Sequence, residues 1–254
     1  MSFFEYQEPV KLMFGKDSIK RLPEAVSSNG YKKGVLITSK YFSSSGIADA
    51  IVNSTKQIVG VFGSVSPNAL LKEVTKASEL IKETGADFVV AVGGGSTIDL
   101  AKFACSLAVH DGEAKEYFYK TKTFTSKRVP LIAVPTTSGT GSEVTSVSVC
   151  TDEDSGVKGP LVSNNFYPYL AIIDYMLTLS VPKYTTAISG LDALSHALEA
   201  FWNVNRLPIT DMYAKKAVEL IINNIEKAYD DGSNIEARKA MSLGSVYAGL
   251  AFAP

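Results

Sequence analysis

A chain of 254 residues, 46% hydrophobic and 20% charged, has the make-up of an ordinary globular protein with a sizeable core and room for two domains. A formal net charge of −1 excludes the electrostatic footprint of a nucleic-acid or acidic-membrane binder, and the apolar runs are too short to span a bilayer. Glu5 and Glu8 stand where a signal peptide needs a basic start, and Cys105 and Cys150 lack metal or redox spacing, so a cytoplasmic protein with two buried thiols is expected.

In chain order, residues 9–15 read as a short strand and 17–27 as a helix capped by Asp17. Residues 34–39 form a buried strand, 43–46 break the pattern, and a helix follows through Ile47 and Ile51. Residues 57–62 are strand again. Ser66-Pro67 reads as a helix start, serine at the cap and proline at the first helical position. That helix carries Leu70, Val74, Ala77 and Ile81 on one face and stops at Gly85.

Residues 88–92 are apolar and rich in valine, as suits a strand covered on both faces. Three glycines, Gly93 to Gly95, lead into a helix from Ser96 with Asp99 in its first turn. Residues 109–128 form a polar connection, 129–135 a strand, and 143–150 and 170–174 two further strands separated by a charged turn at 152–159. From Pro182 the pattern is helical, over 189–202, 209–229 and 234–250. The alternation predicts an α/β dinucleotide-binding domain with a mostly parallel sheet over 1–180, then an all-α domain over 181–254.

Three stretches carry candidate chemistry. The strand, glycine turn and helix start at 88–102 make an anion site, because unpaired N–H groups and the helix dipole favour phosphate. Ile98 occupies the third position of G-x-G-x-x-G, so the dinucleotide fingerprint proper is not met and a simple connecting turn remains the alternative. The loop at 135–145 is rich in Thr, Ser and Gly; it reads either as a polar-ligand loop facing the same crevice or as a surface loop. Asp192 and His196 lie one helical turn apart, where they can share a divalent cation or simply hydrogen-bond. Glu199, three residues on, is a supporting partner or a solvated side chain.

Together, Gly93-Gly-Gly-Ser-x-x-Asp-x-Ala-Lys102, Pro135-Thr-Thr-x-Gly-Thr-Gly-Ser-Glu-Val-Thr145 and the Gly-x-Asp-Ala-x-x-His core within 174–199 resemble the iron-containing alcohol dehydrogenase family of the dehydroquinate synthase-like superfamily. The resemblance implies an NAD(P)-dependent, metal-dependent oxidoreductase that moves hydride between the nicotinamide and a small primary alcohol or aldehyde. It implies Gly94, Gly95 and Ser96 at the pyrophosphate, Thr136, Thr137, Thr140, Ser142 and Thr145 along the cofactor crevice, and Lys158 at the ribose. It implies Asp192 and His196 as the first two ligands of Fe²⁺, with Zn²⁺ as an alternative, and no side-chain nucleophile.

The family's two further histidine ligands are expected beyond the Gly249-Leu-Ala-Phe252 segment and past Pro254, so the helical domain is expected to be incomplete in this sequence. His110 matches no ligand position. At Ser39 many members of the family carry an aspartate that repels a 2′-phosphate; serine, followed by Lys40, puts NADP on at least an equal footing with NAD. The alternatives are a glycerol dehydrogenase, a dehydroquinate synthase-like relative, or a truncated dinucleotide-binding protein without catalysis. Homo-oligomerisation is left open.

Overall fold

Period-two alternation of apolar side chains builds two cores around one sheet. The computed structural model describes residues 3–252. In chain order its strands are β1 (Lys11–Phe14), β2 (Gly34–Ser39), β3 (Ile58–Val65), β4 (Phe88–Gly93), β5 (Leu131–Pro135), β6 (Val147–Thr151), β7 (Lys158–Val162) and β8 (Leu170–Ile173). Six of them pair in parallel in the order β1-β8-β5-β4-β2-β3, and β6 and β7 form a separate antiparallel pair.

The helices are α1 (Leu22–Ser28), α2 (Lys40–Ser44), α3 (Ile47–Ser54), α4 (Leu71–Thr84), α5 (Gly95–Leu107), α6 (Ala114–Phe118), α7 (Lys183–Trp202), α8 (Pro208–Ile222), α9 (Ile225–Asp230) and α10 (Ile235–Phe252). Val35, Ile37, Val89, Ala91, Leu131 and Ala133 face one core, closed by α4 and α5. Leu36, Phe88, Val90, Val92, Ile132 and Val134 face the other, closed by α1 and α3. Both faces of the central strands are therefore covered, which is why those strands read as continuous apolar runs. Among the described residues no helix is long and apolar enough to cross a membrane.

The helices after β8 pack through small residues. Ala193 and Ala197 of α7 meet Ala217 and Ile221 of α8 and Ala237, Met241 and Ala248 of α10. Arg238, buried at the start of α10, donates to Thr186 Oγ1 (2.8 Å), Val181 O (3.0 Å) and Gly232 O (3.0 Å). It pins the entrance of α7 to α10.

Several sequence expectations need correction. Asp17 does not cap a helix: it has a φ of 59°, its N–H donates to Asp174 Oδ1 (3.1 Å), and its carboxylate pairs with Lys20 at 3.2 Å. A 3₁₀ turn over Ser18–Arg21 precedes α1 there. Ser66-Pro67 does not begin a helix, because Asn68 and Ala69 follow at φ 70° and 48°, and α4 starts at Leu71. Ser66 is held instead by Glu73, which accepts from its hydroxyl (2.6 Å) and its N–H (3.0 Å). Gly85 stops α4 as expected, at φ 62°.

The break expected at 43–46 holds the end of α2, and the polar connection at 109–128 contains α6, begun by a reciprocal Glu113–Glu116 cap. The strand expected from 143 begins at Val147, since Ser142–Val144 form a 3₁₀ turn. Lys158, placed in the charged turn, opens β7. The helix expected over 209–229 divides at Asn223 and Asn224, whose side-chain amides donate to Glu219 O and Leu220 O (both 2.8 Å) and so draw off helix carbonyls.

Candidate functional site

Gly93, the last residue of β4, lies directly opposite Pro135, the last of β5, and Thr136 N–H donates to Gly93 O at 3.0 Å. The glycine turn and the Thr/Ser loop therefore leave neighbouring parallel strands at one level, on the carboxyl edge where open α/β sheets bind ligands. Ser39 ends β2 at the same edge, beside β4. Helix α5 starts at Gly95; Thr97 N–H donates to Gly94 O at 3.0 Å, and the N–H groups of Gly95 and Ser96, at the crevice, have no intrahelical acceptor. A methyl carbon at Gly95 would fall 2.6 Å from Thr140 Cγ2, and one at Gly94 would fall 3.2 Å from Thr137 Oγ1. Thr140 and Thr137 thus pack directly against backbone that only glycine leaves bare, at the edge of the crevice.

The crevice has two lobes. One, of about 650 Å³, is lined by Ser39, Gly94, Thr137, Thr185 and Ser189 among others. The other, of about 550 Å³, is lined by Asn68, Asp99, Ser142, Thr145, Lys158 and His196, with Val147, Val149, Pro160 and Val162 as its apolar wall. Gly95, Ser96, Thr140 and Asp192 belong to both. Of the residues expected along the crevice, Thr136 alone lines neither lobe; it is buried and spends its N–H on the β4–β5 junction.

Beneath the second lobe lies a buried ionic cluster that sequence reasoning did not single out. Lys102 Nζ donates to Val147 O (2.7 Å), Thr145 O (2.9 Å) and Thr145 Oγ1 (3.2 Å), and it sits 3.9 Å from Asp99 Oδ1. Asp99 accepts from the Ser142 hydroxyl and from Val149 N–H (3.1 Å). The two charged side chains of α5 therefore staple residues 142–149 onto the helix that follows the glycine turn. Burial pushes Lys102 down to about 8, opposed by the negative charges of Asp99 and Glu143. Burial pushes Glu143 up to about 7, opposed by its own backbone N–H and by Lys102. The available signal was that Asp99 and Lys102, three apart, are the only charges on an otherwise apolar and small-residue helix.

Asn68 was missed as well. Its left-handed backbone lets its N–H donate to Ser96 Oγ (3.1 Å), its Oδ1 accept from Lys158 Nζ (3.0 Å) and its O accept from Thr151 Oγ1 (3.1 Å). The turn after β3 thereby aims Lys158 at the glycine turn.

Asp192 Oδ1 and His196 Nε2 lie 3.9 Å apart on α7, partly exposed to the crevice, and close to about 3.3 Å when two bonds of about 2 Å hold one tetrahedral cation. Among the described residues no third His, Cys, Asp or Glu joins them in a metal-binding group. The donor set therefore fits part of a divalent-cation site. Glu199 is engaged by the Ser195 hydroxyl (2.7 Å), and the Phe252 ring lies 5.0 Å from that of His196. His110 is elsewhere, bridging Ser106 O and Thr125 Oγ1 (both 2.7 Å) at the end of α5.

Residues 9–175 match the sequence family described as iron-containing alcohol dehydrogenase, and 186–254 match the Fe-containing alcohol dehydrogenase family, C-terminal. The chain is 40% identical to long-chain-alcohol dehydrogenase 1 of Geobacillus thermodenitrificans (strain NG80-2), over 94% of this chain and 61% of that protein. It is 37% identical to choline dehydrogenase of Bacillus subtilis (strain 168), over 98% of this chain and 63% of that protein. The crystal structure of sulfoacetaldehyde reductase from Bifidobacterium kashiwanohense in complex with NAD+ superposes with a TM-score of 0.95 at 39% identity, over 99% of this chain and 67% of that one. The chain thus spans 61–63% of the length of these two curated relatives.

Proposed function

The chain belongs to the iron-containing alcohol dehydrogenase family, and from that premise we propose that it binds a nicotinamide dinucleotide in the two-lobed crevice for hydride exchange with a primary alcohol or aldehyde. The observation that carries this reading is the pairing of Gly93 with Pro135, which sets a glycine turn and a hydroxyl-rich loop face to face over a helix N-terminus.

In this reading residues 1–180 hold the cofactor and 181–254 begin the metal-binding domain. Gly94, Gly95 and Ser96 offer backbone N–H groups to the pyrophosphate, while Lys158, aimed by Asn68, meets the ribose. Lys102 occupies the acceptor side of Thr145, which leaves that hydroxyl's proton to be donated into the lobe. Asp192 and His196 supply two ligands to Fe²⁺, or to Zn²⁺ in its place. The chemistry such groups supply when bound is hydride exchange at the nicotinamide and Lewis-acid polarisation of the alcohol or carbonyl oxygen at the metal. Val147, Val149, Pro160 and Val162 give the lobe beside His196 an apolar wall. Ser39, lacking a carboxylate, admits NADP as well as NAD, and the unpaired buried thiols of Cys105 and Cys150 suit a cytoplasmic setting.

Fluorescence titration of the chain with NADH and NADPH tests the reading: saturable binding of both is expected, and binding of neither refutes it. The two-donor metal set gives some weight to a second reading, a dinucleotide-binding protein without catalysis. Metal analysis separates the two, since about one metal per chain is needed for the oxidoreductase.

A further inference from the structure

The loop at 138–144 touches the helical region backbone to backbone. A methyl carbon at Gly249 on α10 would fall 2.6 Å from Val144 Cγ2 and 3.0 Å from both Gly141 Cα and Gly141 O. One at Gly141, which also has a φ of 62°, would fall 2.7 Å from Gly249 Cα. Gly139 approaches α7 in the same way, since a methyl there would fall 2.8 Å from Ser189 Cβ and 3.0 Å from Ser189 O. Beside them the Ser138 and Ser242 hydroxyls lie 3.0 Å apart.

Successive residues of this loop alternate in direction. Gly139 and Gly141 meet the helices, whereas Thr140 overhangs Gly95 and Ser142 donates to Asp99. Where Gly141 meets Gly249, neither side has a side chain to absorb displacement, so the close contact transmits it. The height of Thr140 above the glycine turn is therefore set by the surface of α10, from a residue that lines neither lobe of the crevice.

We infer that Gly249 is a positioning residue for the cofactor, acting through Gly141 and Val144 on Thr140 and Ser142. The inference rests on the proposed cofactor crevice and adds to it a dependence on the helical region. A side chain at Gly249 drives the loop toward α5, unseats Thr140 from Gly95 and Ser142 from Asp99, deforms the crevice wall they form and weakens dinucleotide binding without touching the ligand.

The test is NADH titration by fluorescence on the wild-type chain, Gly249→Ala, Gly244→Ala and the double variant Gly249→Ala/Val144→Ala, each checked for helix content. Gly244 is on the same helix, but a methyl there meets Ile221 Cγ1 at 2.8 Å, on the side of α8. Gly249→Ala is expected to raise the NADH Kd about tenfold or more, Gly244→Ala to leave it within about twofold, and Val144→Ala to recover part of the loss. Should Gly249→Ala not fold, Ser242→Ala decides: it removes only the hydroxyl facing Ser138, an increase of about threefold is expected, and an unchanged Kd overturns the inference. A wild-type chain that ignores NADH overturns the crevice and the inference together. A wild-type chain that binds NADH, with Gly249→Ala binding it equally well, overturns the inference alone.

Discussion

Lys102 holds Thr145 by two atoms at once, with Nζ 2.9 Å from Thr145 O and 3.2 Å from Thr145 Oγ1. A third bond to Val147 O uses the remaining ammonium proton, so a fully buried charge has every donor satisfied. Lys102→Met keeps the volume but leaves two carbonyls and a hydroxyl without their donor and the nearby Asp99 and Glu143 carboxylates without their counter-charge. Removing one partner of such a buried set costs about 3–5 kcal/mol. Urea denaturation should show a loss of that order together with weaker NADH binding; a change below about 1 kcal/mol would mean that the cluster does not hold the loop.

Glu143 gives this cluster a pH signature. Its carboxyl rises from 4.5 to about 7 on folding because burial disfavours the charged form. A folded-state value above the unfolded one means that the native state binds the extra proton. The associated stability is fully present below pH 4.5 and is lost as pH rises to about 7. Glu143→Gln should therefore flatten the fall of Tm across that window and make the variant relatively more stable above it. Parallel Tm–pH curves for wild type and variant would show that Glu143 ionises in the folded protein as it does in the unfolded chain.

Ser39 closes β2 at the edge of the larger lobe, with no carboxylate to repel a 2′-phosphate. Ser39→Asp should weaken NADPH binding about tenfold, roughly 1.4 kcal/mol, and change NADH binding much less. Titration of both cofactors against both proteins checks it, and equal losses would remove position 39 from cofactor choice.

Asp192 and His196 present two donors on one helical turn, and two protein ligands hold a cation less firmly than the three or more of a catalytic zinc site. Anaerobic calorimetry should give weak Fe²⁺ binding, with a Kd in the micromolar range or above, abolished by His196→Ala. Retention of iron by that variant would place the metal elsewhere.

Much of this was legible in the chain because the signals were local. The valine-rich run of β4 reads as a doubly covered strand because its two faces do enter different cores. The Gly93–Gly95 turn reads as the junction of strand and helix because strand, glycine and helix follow one another without interruption. What escaped depends on partners far away in sequence. Asn68 adopts a left-handed turn in order to reach Ser96, Thr151 and Lys158, which overrides the helix-start signal of Ser66-Pro67. Lys102 looks like a surface charge until residues 142–149, Glu143 among them, fold over it. Strand β7, with Pro160 within it, pairs only with β6 in a two-stranded ribbon and so carries a weak strand pattern.

The central claim is that a dinucleotide lies along the glycine turn, in the crevice that Gly95, Ser96 and Thr140 line together. It is tested most directly by titrating NADH into the wild-type chain and Gly95→Val, with circular dichroism to show that both are folded. A valine at 95 would place carbon 2.6 Å from Thr140 Cγ2, so Thr140 must shift and the crevice wall deforms over the helix start. The account predicts saturable NADH binding by wild type and a Kd raised about tenfold or more, 1.4 kcal/mol or above, in the variant. Equal NADH affinity in two folded proteins would contradict it.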